Sequence, residues 1–579
     1  MLRLATVFSG IGAIEHALQR MEIKHKIVFA CDNGDVNIFE KKIPHNLAAI
    51  ENEVESLDII IRKIKSKGSY EYISDLEQHL ERIHNQVEMV KQFNLEGVDI
   101  TEEEVWKFYF QSGAKSKEVI SIIDNYELGK GKDIYLVDKV LLLELIMKEG
   151  KKNTTIEENI KGSQLLDFFS SNENILIQND YKKYKKEIKE IAEDLSMLHE
   201  KIEVLHINNE LSKIKDYKKK KEFVDELYKG KEKSNFVRQS YFNNYEIKDE
   251  DFHWNVSFLD GKQYKGEVDL FVGGSPCQSF SMVGKQRGLQ DTRGTLFYEY
   301  ARLVKEIQPK IFIYENVRAV LSNDSGRTWE TMKAVFDEVG YNWYKMVLNA
   351  KDYGVPQNRE RIFVVGFRKD LTLENEFIEP KTVELNKTMK DFLMENVSGK
   401  YYLNRKGVDF VTDKKNLQKK WTQISGDIQL CQKKNQQFNW HGDFVFEEEN
   451  KNKEKTIQDL EKYFLSEKVR KYVLASGTGN FYSRPEIDLD IARPLIKTMH
   501  KMHRAGVDNY VTTDGRIRKL TPRECLRLMG FCDSFKIVVS DTQIYQQAGN
   551  SIVVDVLINI MKSIIKSYPK IIQCESRFE

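Results

Sequence analysis

From Pro44 to Pro276 the chain contains no proline, and lysine and glutamate dominate. Any sheet pattern stops on entering this stretch. Two segments inside it keep heptad spacing: Ile73, Leu76, Leu80, Ile83, Val87 and Val90, then Tyr184, Ile188, Ile191, Leu195, Leu198, Ile202 and Leu205. Alternating steps of three and four lay an apolar seam along one side of a helix. Two such helices in one chain fold back most simply as an antiparallel stalk. The mixed segment between them, about 94–180, with Trp106, Phe108, Tyr109 and Phe110 near its start, then forms a small helical tip. The alternative is two amphipathic helices lying on a globular body. The run Lys218 to Lys221 reads as a solvated helix face. Either way, whatever sheet flanks the stretch is split by a long helical insertion, entered soon after Asp32 and left shortly before Tyr241.

The flanks do read as a sheet. Leu2 to Phe8 predicts a strand, Ser9-Gly10-Ile11-Gly12 a tight turn, and Ile14 to Met21 a helix. That succession puts backbone N–H groups and the positive end of a helix beside a cofactor. A second apolar run, Ile27 to Ala30, delivers Asp32 at a strand end, where an acidic residue grips a ribose hydroxyl in dinucleotide folds or caps a helix. Beyond the insertion, Val268 to Val272 predicts a buried strand running into Gly273-Gly274-Ser275-Pro276-Cys277. The glycine and proline turn would lift Cys277 from the sheet edge, where a thiolate could meet a substrate; a lone cysteine there also reads as a small buried hydrophobe. A glycine-bounded polar loop from Gly284 to Gly288 follows, then a helix from Leu296 to Ile307 and a strand from Ile311 to Tyr314 ending at Glu315-Asn316-Val317. A further helix and strands at Trp343 to Leu348 and Ile362 to Phe367 complete an alternation that predicts an α/β fold, a largely parallel sheet with helices on both faces. From about Lys369 to Ala492 the pattern turns polar and loop-rich, as a smaller domain would. Thr521-Pro522-Arg523-Glu524 is a helix start with an N-cap, proline at N1 and a capping-box acid, and Ile552 to Ile565 a last apolar helix.

A length of 579 residues calls for two or three domains. Lysine plus arginine (90) nearly balance aspartate plus glutamate (89), so no global basic field announces nucleic acid, although a local cleft can be basic in a neutral protein. The cysteines (Cys31, Cys277, Cys431, Cys525, Cys532, Cys574) form no CxxC pair and no disulfide-like framework, which suits a reducing compartment. The N-terminus lacks the features of a signal peptide, and the most apolar stretch, Val140 to Met147, is short and charged, so no membrane span is expected. His500 and His503 have no cysteine partners nearby, and no metal site is expected.

Seven segments, in order, resemble the DNA (cytosine-5) methyltransferase family: TVFSGIGAIEHAL, VFACDN, VDLFVGGSPCQSFSMVGKQRGLQDTRGTLFYE, IYENV, LNAKDYGVPQNRERIFVVGFR, RKLTPRECLRLMGF and QQAGNSIVVDVL. VRQSYFNNY also resembles the family's helix between its second and third cofactor strands. The resemblance covers residues 1 to about 45, about 236 to 368 and about 490 to 565. It implies a Rossmann-like S-adenosylmethionine-dependent methyltransferase sheet, with the catalytic domain in 1–45 and 237–368. A helical insertion with heptad stalk and small tip spans 46–236, a target-recognition domain 369–490, and 491–579 holds the end of the recognition domain and the C-terminal helix returning to the catalytic domain.

The resemblance further implies S-adenosyl-L-methionine as cofactor and carbon 5 of a flipped-out cytosine in double-stranded DNA as target. Cys277 matches the nucleophile that adds to carbon 6, Glu315 the carboxyl that protonates N3, and Arg361, with Arg359 nearby, the arginine that orients the base. Phe8, Ser9, Gly10, Gly12, Asp32, Asn33, Asn255, Val256, Pro276, Asn550 and Ser551 carry over as cofactor contacts, and Gln278, Ser281, Lys285 and Arg287 as DNA contacts. Three positions depart from the family pattern. Asn33 stands where an apolar or aromatic residue stacks on adenine, Asn255 where an aspartate is common, and Cys532 where proline is usual. The expected setting is cytoplasmic and nucleoid-associated, of bacterial or phage type, in restriction-modification or epigenetic marking. A protein partner or self-association is expected to use the insertion. Two rival readings remain at this point, a tRNA cytosine-5 methyltransferase and an inactive DNA-binding scaffold.

Overall fold

The computed structural model describes residues 1–66, 73–91, 175–275, 296–394, 401, 403, 405–434, 439–447, 477–478, 481–482, 516–519 and 521–573. Among the described residues the chain divides into two compact units, one formed by residues 1–36 and those from 229 onward, the other by residues 37–228.

The first unit is built on a seven-stranded sheet of β1 (Leu2–Val7), β2 (His25–Cys31), β3 (Phe252–His253), β4 (Leu270–Gly273), β5 (Ile311–Val317), β6 (Tyr341–Asn349) and β7 (Glu360–Arg368), in the order β3-β2-β1-β4-β5-β7-β6. Strands β3, β2, β1, β4 and β5 pair in parallel. β7 runs antiparallel to both its neighbours, a departure from an all-parallel arrangement. Its cause is local: only Ala350 to Arg359 separate β6 from β7, and a parallel return needs a crossover of a dozen or more residues.

Helices cover both faces, as the alternation predicts. Leu270 and Val272 of β4 join a core with Ile14, Ala17 and Leu18 of the helix Ala13–Arg20 and with Leu557, Ile560 and Met561 of the helix Val554–Ser567. The intervening Phe271 faces the other way, its ring 5.1 Å from Tyr300, and Phe312 stacks on Phe336 at 5.8 Å. The chain's last apolar helix thus returns to its first: Arg20 grips both carboxylate oxygens of Asp555 at 2.8 Å and donates to the Gly530 carbonyl. The capping box at Thr521 forms, with Glu524 Oε2 accepting from the Thr521 N–H at 2.8 Å. By length and apolarity alone Asp541–Ser567 could cross a membrane. It is instead two helices, Asp541–Asn550 and Val554–Ser567, with Ile544, Ala548, Val554 and Ile564 buried in this core.

The polar region after residue 369 is less irregular than its sequence. Thr422–Ile424, Gly442–Glu447 and Arg516–Lys519 form a small three-stranded sheet with Gly442–Glu447 at its centre. Cys532 shows what replacing proline allows: its N–H donates to His16 Nε2 at 3.0 Å, a bond proline could not make.

In the second unit the seams from Ile73 to Val90 and from Tyr184 to Ile202 are buried in one cluster, on the helices Ile73–Lys91 and Ile175–Lys213. A third helix, Leu47–Ser66, completes the cluster with Leu47, Ile50, Val54, Leu57 and Ile61, so the pairing is of three helices rather than two. Those five residues keep steps of three and four, but the adjacent Ile59 and Ile60 blur the period in the sequence. His79 is buried in this unit, and burial, with Lys201 and Arg82 nearby, pushes its pKa down to about 3, leaving the ring neutral. Most of the segment predicted as the tip lies outside the described residues.

Candidate active site

The parallel strands end along one edge, where open α/β sheets place their ligands. After β1 the chain turns sharply, with Phe8, Gly10 and Gly12 at φ values of 52°, 54° and 77°. Gly12 accepts no substitute: a Cβ there would lie 2.2 Å from the Tyr245 ring, whose hydroxyl donates to the Ile11 and Gly12 carbonyls at 3.0 and 2.8 Å. After β2, Asp32 accepts from the Gly10 N–H at 2.9 Å and the Gly34 N–H at 2.8 Å. Burial raises its pKa and those two N–H groups partly offset the rise. Beneath the turn, Glu15 is fully buried and accepts from Tyr241 Oη at 2.5 Å and Thr6 Oγ1 at 3.1 Å. Burial pushes its pKa up to about 7. After β3, Asn255 caps a short turn by accepting from the Ser257 N–H at 2.9 Å, and Val256 is buried. Asn33 is exposed beside Asp32, and Asn550 is exposed at the end of its helix while Ser551 is buried.

After β4, two glycines are forced by crowding. A Cβ on Gly273 would meet the Val7 carbonyl at 2.8 Å, and one on Gly274 would meet Glu315 Oε2 at 2.8 Å. Asn316 ties the ends of β4 and β5 together, donating to the Ser275 carbonyl at 3.1 Å and to Tyr314 Oη at 2.8 Å. Glu315, 13 % exposed on its side chain, pairs with Arg361 Nε at 3.1 Å. Burial raises the Glu315 pKa; Arg361 and Arg359 pull it back without cancelling the rise. The antiparallel β7 makes this meeting possible, since it sets Arg361 opposite Val317, two residues beyond Glu315.

Arg359 is placed differently from Arg361. It is buried and donates to the main-chain carbonyls of Gln432 at 2.9 Å, Gly549 at 3.1 Å and Ser551 at 2.9 Å. Burial and the neighbouring Arg361 lower its pKa to about 10. Pro276, Cys277, Gln278, Ser281, Lys285 and Arg287 lie outside the described residues, as does Cys574. The sequence alone assigns no role to Asn316, Tyr241, Tyr245 or Glu15. Asn316 adjoins Glu315 in IYENV and was legible by position; the other three act across long sequence gaps and carry no local signal.

A model of the C-5 cytosine-specific DNA methylase family matches residues 225–566, more than half of the chain. The chain belongs to this family. Among curated relatives, the type II methyltransferase M.HhaI of Haemophilus parahaemolyticus is 35% identical over 289 residues, 50% of this chain and 73% of that protein. The orphan methyltransferase M.SPRI of Bacillus phage SPR is 31% identical over 380 residues, 54% of this chain and 86% of that one. The type II methyltransferase M.HpaII of Haemophilus parainfluenzae is 33% identical over 303 residues, covering 52% and 72%. As a C-5 cytosine-specific DNA methylase, the protein methylates cytosine carbon 5 in DNA and takes its methyl group from S-adenosylmethionine.

The residues after β1, β2 and β3 fit that cofactor. Gly10 and Gly12 keep the turn bare of side chains, Asp32 would offer its carboxylate to a ribose diol, and Asn255, expected as a further contact, lies beyond the neighbouring strand end. Substituting Gly12 by alanine combines left-handed strain with overpacking against Tyr245, each costing about 1–3 kcal/mol. The expected outcome is a lower melting temperature and loss of S-adenosylmethionine binding by calorimetry.

Proposed function

We propose that the protein methylates cytosine within a specific sequence of duplex DNA, acting on a flipped-out base through a covalent bond between Cys277 and carbon 6. The observation that carries this reading is the pairing of Glu315 at the end of β5 with Arg361 of β7, Glu315 being packed against Gly274, three positions before Cys277. Carbon 5 of cytosine is a weak nucleophile, so a thiolate must first add to carbon 6 to give the ring enamine character. Electrons pushed into the ring call for a proton at N3. Glu315 supplies it, because burial favours its neutral form. Arg361 orients the base and steadies charge in the ring, while Arg359 acts through the main chain, holding the turn at Gly549 to Ser551. Bound S-adenosylmethionine presents an electrophilic methyl group to carbon 5. From the methylated adduct, loss of the carbon-5 proton to solvent water lets the Cys277 sulfur leave as thiolate, and N3 returns its proton to the Glu315 carboxylate, restoring the neutral aromatic ring and the enzyme. Base flipping follows from the need to reach carbon 6, which is inaccessible in a stacked duplex.

Restriction-modification or epigenetic marking is the setting we assign to this activity. Duplex DNA carrying 5-fluorocytosine at the target tests the chemistry, since fluorine at carbon 5 blocks the proton loss that releases Cys277. The expected outcome is a denaturation-resistant protein–DNA adduct that requires S-adenosylmethionine. Methylation of ordinary DNA without adduct formation would rule out the covalent route. Bisulfite sequencing of DNA from cells expressing the protein identifies the target used in the duplex.

A further inference from the structure

We propose that Asp443 and the segment Gln429 to Gln432 form a strut through which the small three-stranded sheet sets the position of Arg359 and Arg361. The inference rests on the base-orienting role proposed for Arg361. At the base of the strut, Asp443 of the central strand Gly442–Glu447 is fully buried, and it accepts from the Leu430 N–H at 3.0 Å and from Gln423 Nε2 at 2.8 Å. Gln423 Nε2 also donates to the Ile428 carbonyl at 2.6 Å, closing the turn that launches the segment.

The tip of the strut reaches the arginines. Cys431 Sγ lies 3.9 Å from Arg359 Nη1 and from both terminal nitrogens of Arg361. The Gln432 carbonyl accepts from Arg359 Nη1 at 2.9 Å, and the Gln432 N–H donates to Gln357 Oε1 at 3.1 Å. On the other side, the Gln429 N–H donates to the Pro356 carbonyl and its own carbonyl accepts from the Asn358 N–H, both at 2.6 Å. The strut is therefore clamped along Pro356 to Arg359, the four residues that lead into β7 and Arg361. Arg359 continues the line to the Gly549 and Ser551 carbonyls, so the strut touches both arginines and reaches the turn expected to meet the cofactor through Arg359.

Both polar atoms of the Gln429 side chain, Gln432 Oε1 and Arg359 Nε are buried without a hydrogen-bond partner among the described residues. Buried polar atoms in that state cost free energy, and such costs gather where function demands them. A displacement of about 1 Å at a positioning group can cost about a hundredfold in rate. A shift of the small sheet carried by Asp443 would therefore register in turnover before it registered in binding.

The test uses the full-length protein with Asp443→Ala, Asp443→Asn and Gly426→Ala. A Cβ on Gly426 would lie 2.0 Å from Gln423 Nε2, so that variant displaces the end of a flexible side chain and loosens the strut without emptying the core. Asp443→Ala is expected to lower kcat about tenfold or more while the KM for duplex DNA stays within about threefold of the parent. Asp443→Asn, which keeps an acceptor for Leu430, recovers most of the loss, and Gly426→Ala shifts kcat in the same direction by less. Unchanged kcat in all three, a rise confined to the KM for DNA, or an asparagine variant as impaired as the alanine variant would overturn the strut. Should Asp443→Ala fail to fold by thermal melting, Gly426→Ala decides. Arg361→Ala separates the two readings. If it keeps parental kcat, the base-orienting role falls and the strut with it; if it is impaired while the strut variants are not, only the strut falls.

Discussion

Replacing Cys277 by alanine is expected to reduce methyl transfer to duplex DNA to background while leaving S-adenosylmethionine affinity within about twofold of the parent. The two effects separate because the groups involved come from different strand ends. Most cofactor contacts are expected from the turns after β1, β2 and β3, with Pro276, Asn550 and Ser551 besides, whereas Cys277 follows β4 and its truncation to alanine leaves the backbone at Pro276 in place. The segment leading to it is held by its backbone and not by the thiol: Gly273 and Gly274 are crowded against Val7 and Glu315, and Ser275 is held by Asn316. Serine should rescue little, since a hydroxyl is far less ionised than a thiol near neutral pH. Filter-binding with labelled cofactor measures transfer and calorimetry measures affinity. Transfer persisting in the alanine variant would exclude Cys277 from the chemistry.

Glu315→Gln is expected to lower kcat by about 10²–10³ and to change its pH profile. The sign follows from the role. A proton donor must be protonated, and burial raises the Glu315 pKa above its ordinary value. Activity therefore declines as pH climbs through that raised pKa and the carboxylate forms. Glutamine neither ionises nor supplies a proton, so the variant should be slow and should lack this alkaline limb. Arg361→Ala gives the complementary result. Arg361 is the larger of the two influences that lower the Glu315 pKa, so its removal should move the alkaline limb to higher pH even as turnover falls. Persistence of the parental limb in Glu315→Gln would assign that titration elsewhere, and a limb that moves down in Arg361→Ala would contradict the pairing.

Much of the fold was legible because it rests on local patterns. The strands at Leu2–Val7 and Ile311–Val317 and the helix Leu296–Ile307 announce themselves through apolar runs and turn residues, and the seam from Ile73 to Val90 through its spacing. The antiparallel β7 was less visible, because its direction depends on connection length rather than composition. The helix Leu47–Ser66 was missed although its buried positions keep the heptad, since Ile59 and Ile60 fill the gaps between them.

The sequence by itself determined the chemistry available to this protein: a cysteine after a buried strand, a glutamate at the next strand end, an arginine pair in RERIF, and glycines where a cofactor turn needs them. These are properties of residue type and short spacing, which a chain carries wherever it folds. Only the tertiary structure decided how the groups divide their work. Arg359 and Arg361 are two residues apart and chemically alike, yet one faces a carboxylate and the other three main-chain carbonyls. That difference arises from partners 46 residues away for Arg361 (361 − 315) and 73 to 192 residues away for Arg359. Asp443 and Gln432 likewise gain their meaning from strand pairing and burial. Long-range pairing selects which of many compatible contacts forms, and no local spacing encodes that selection.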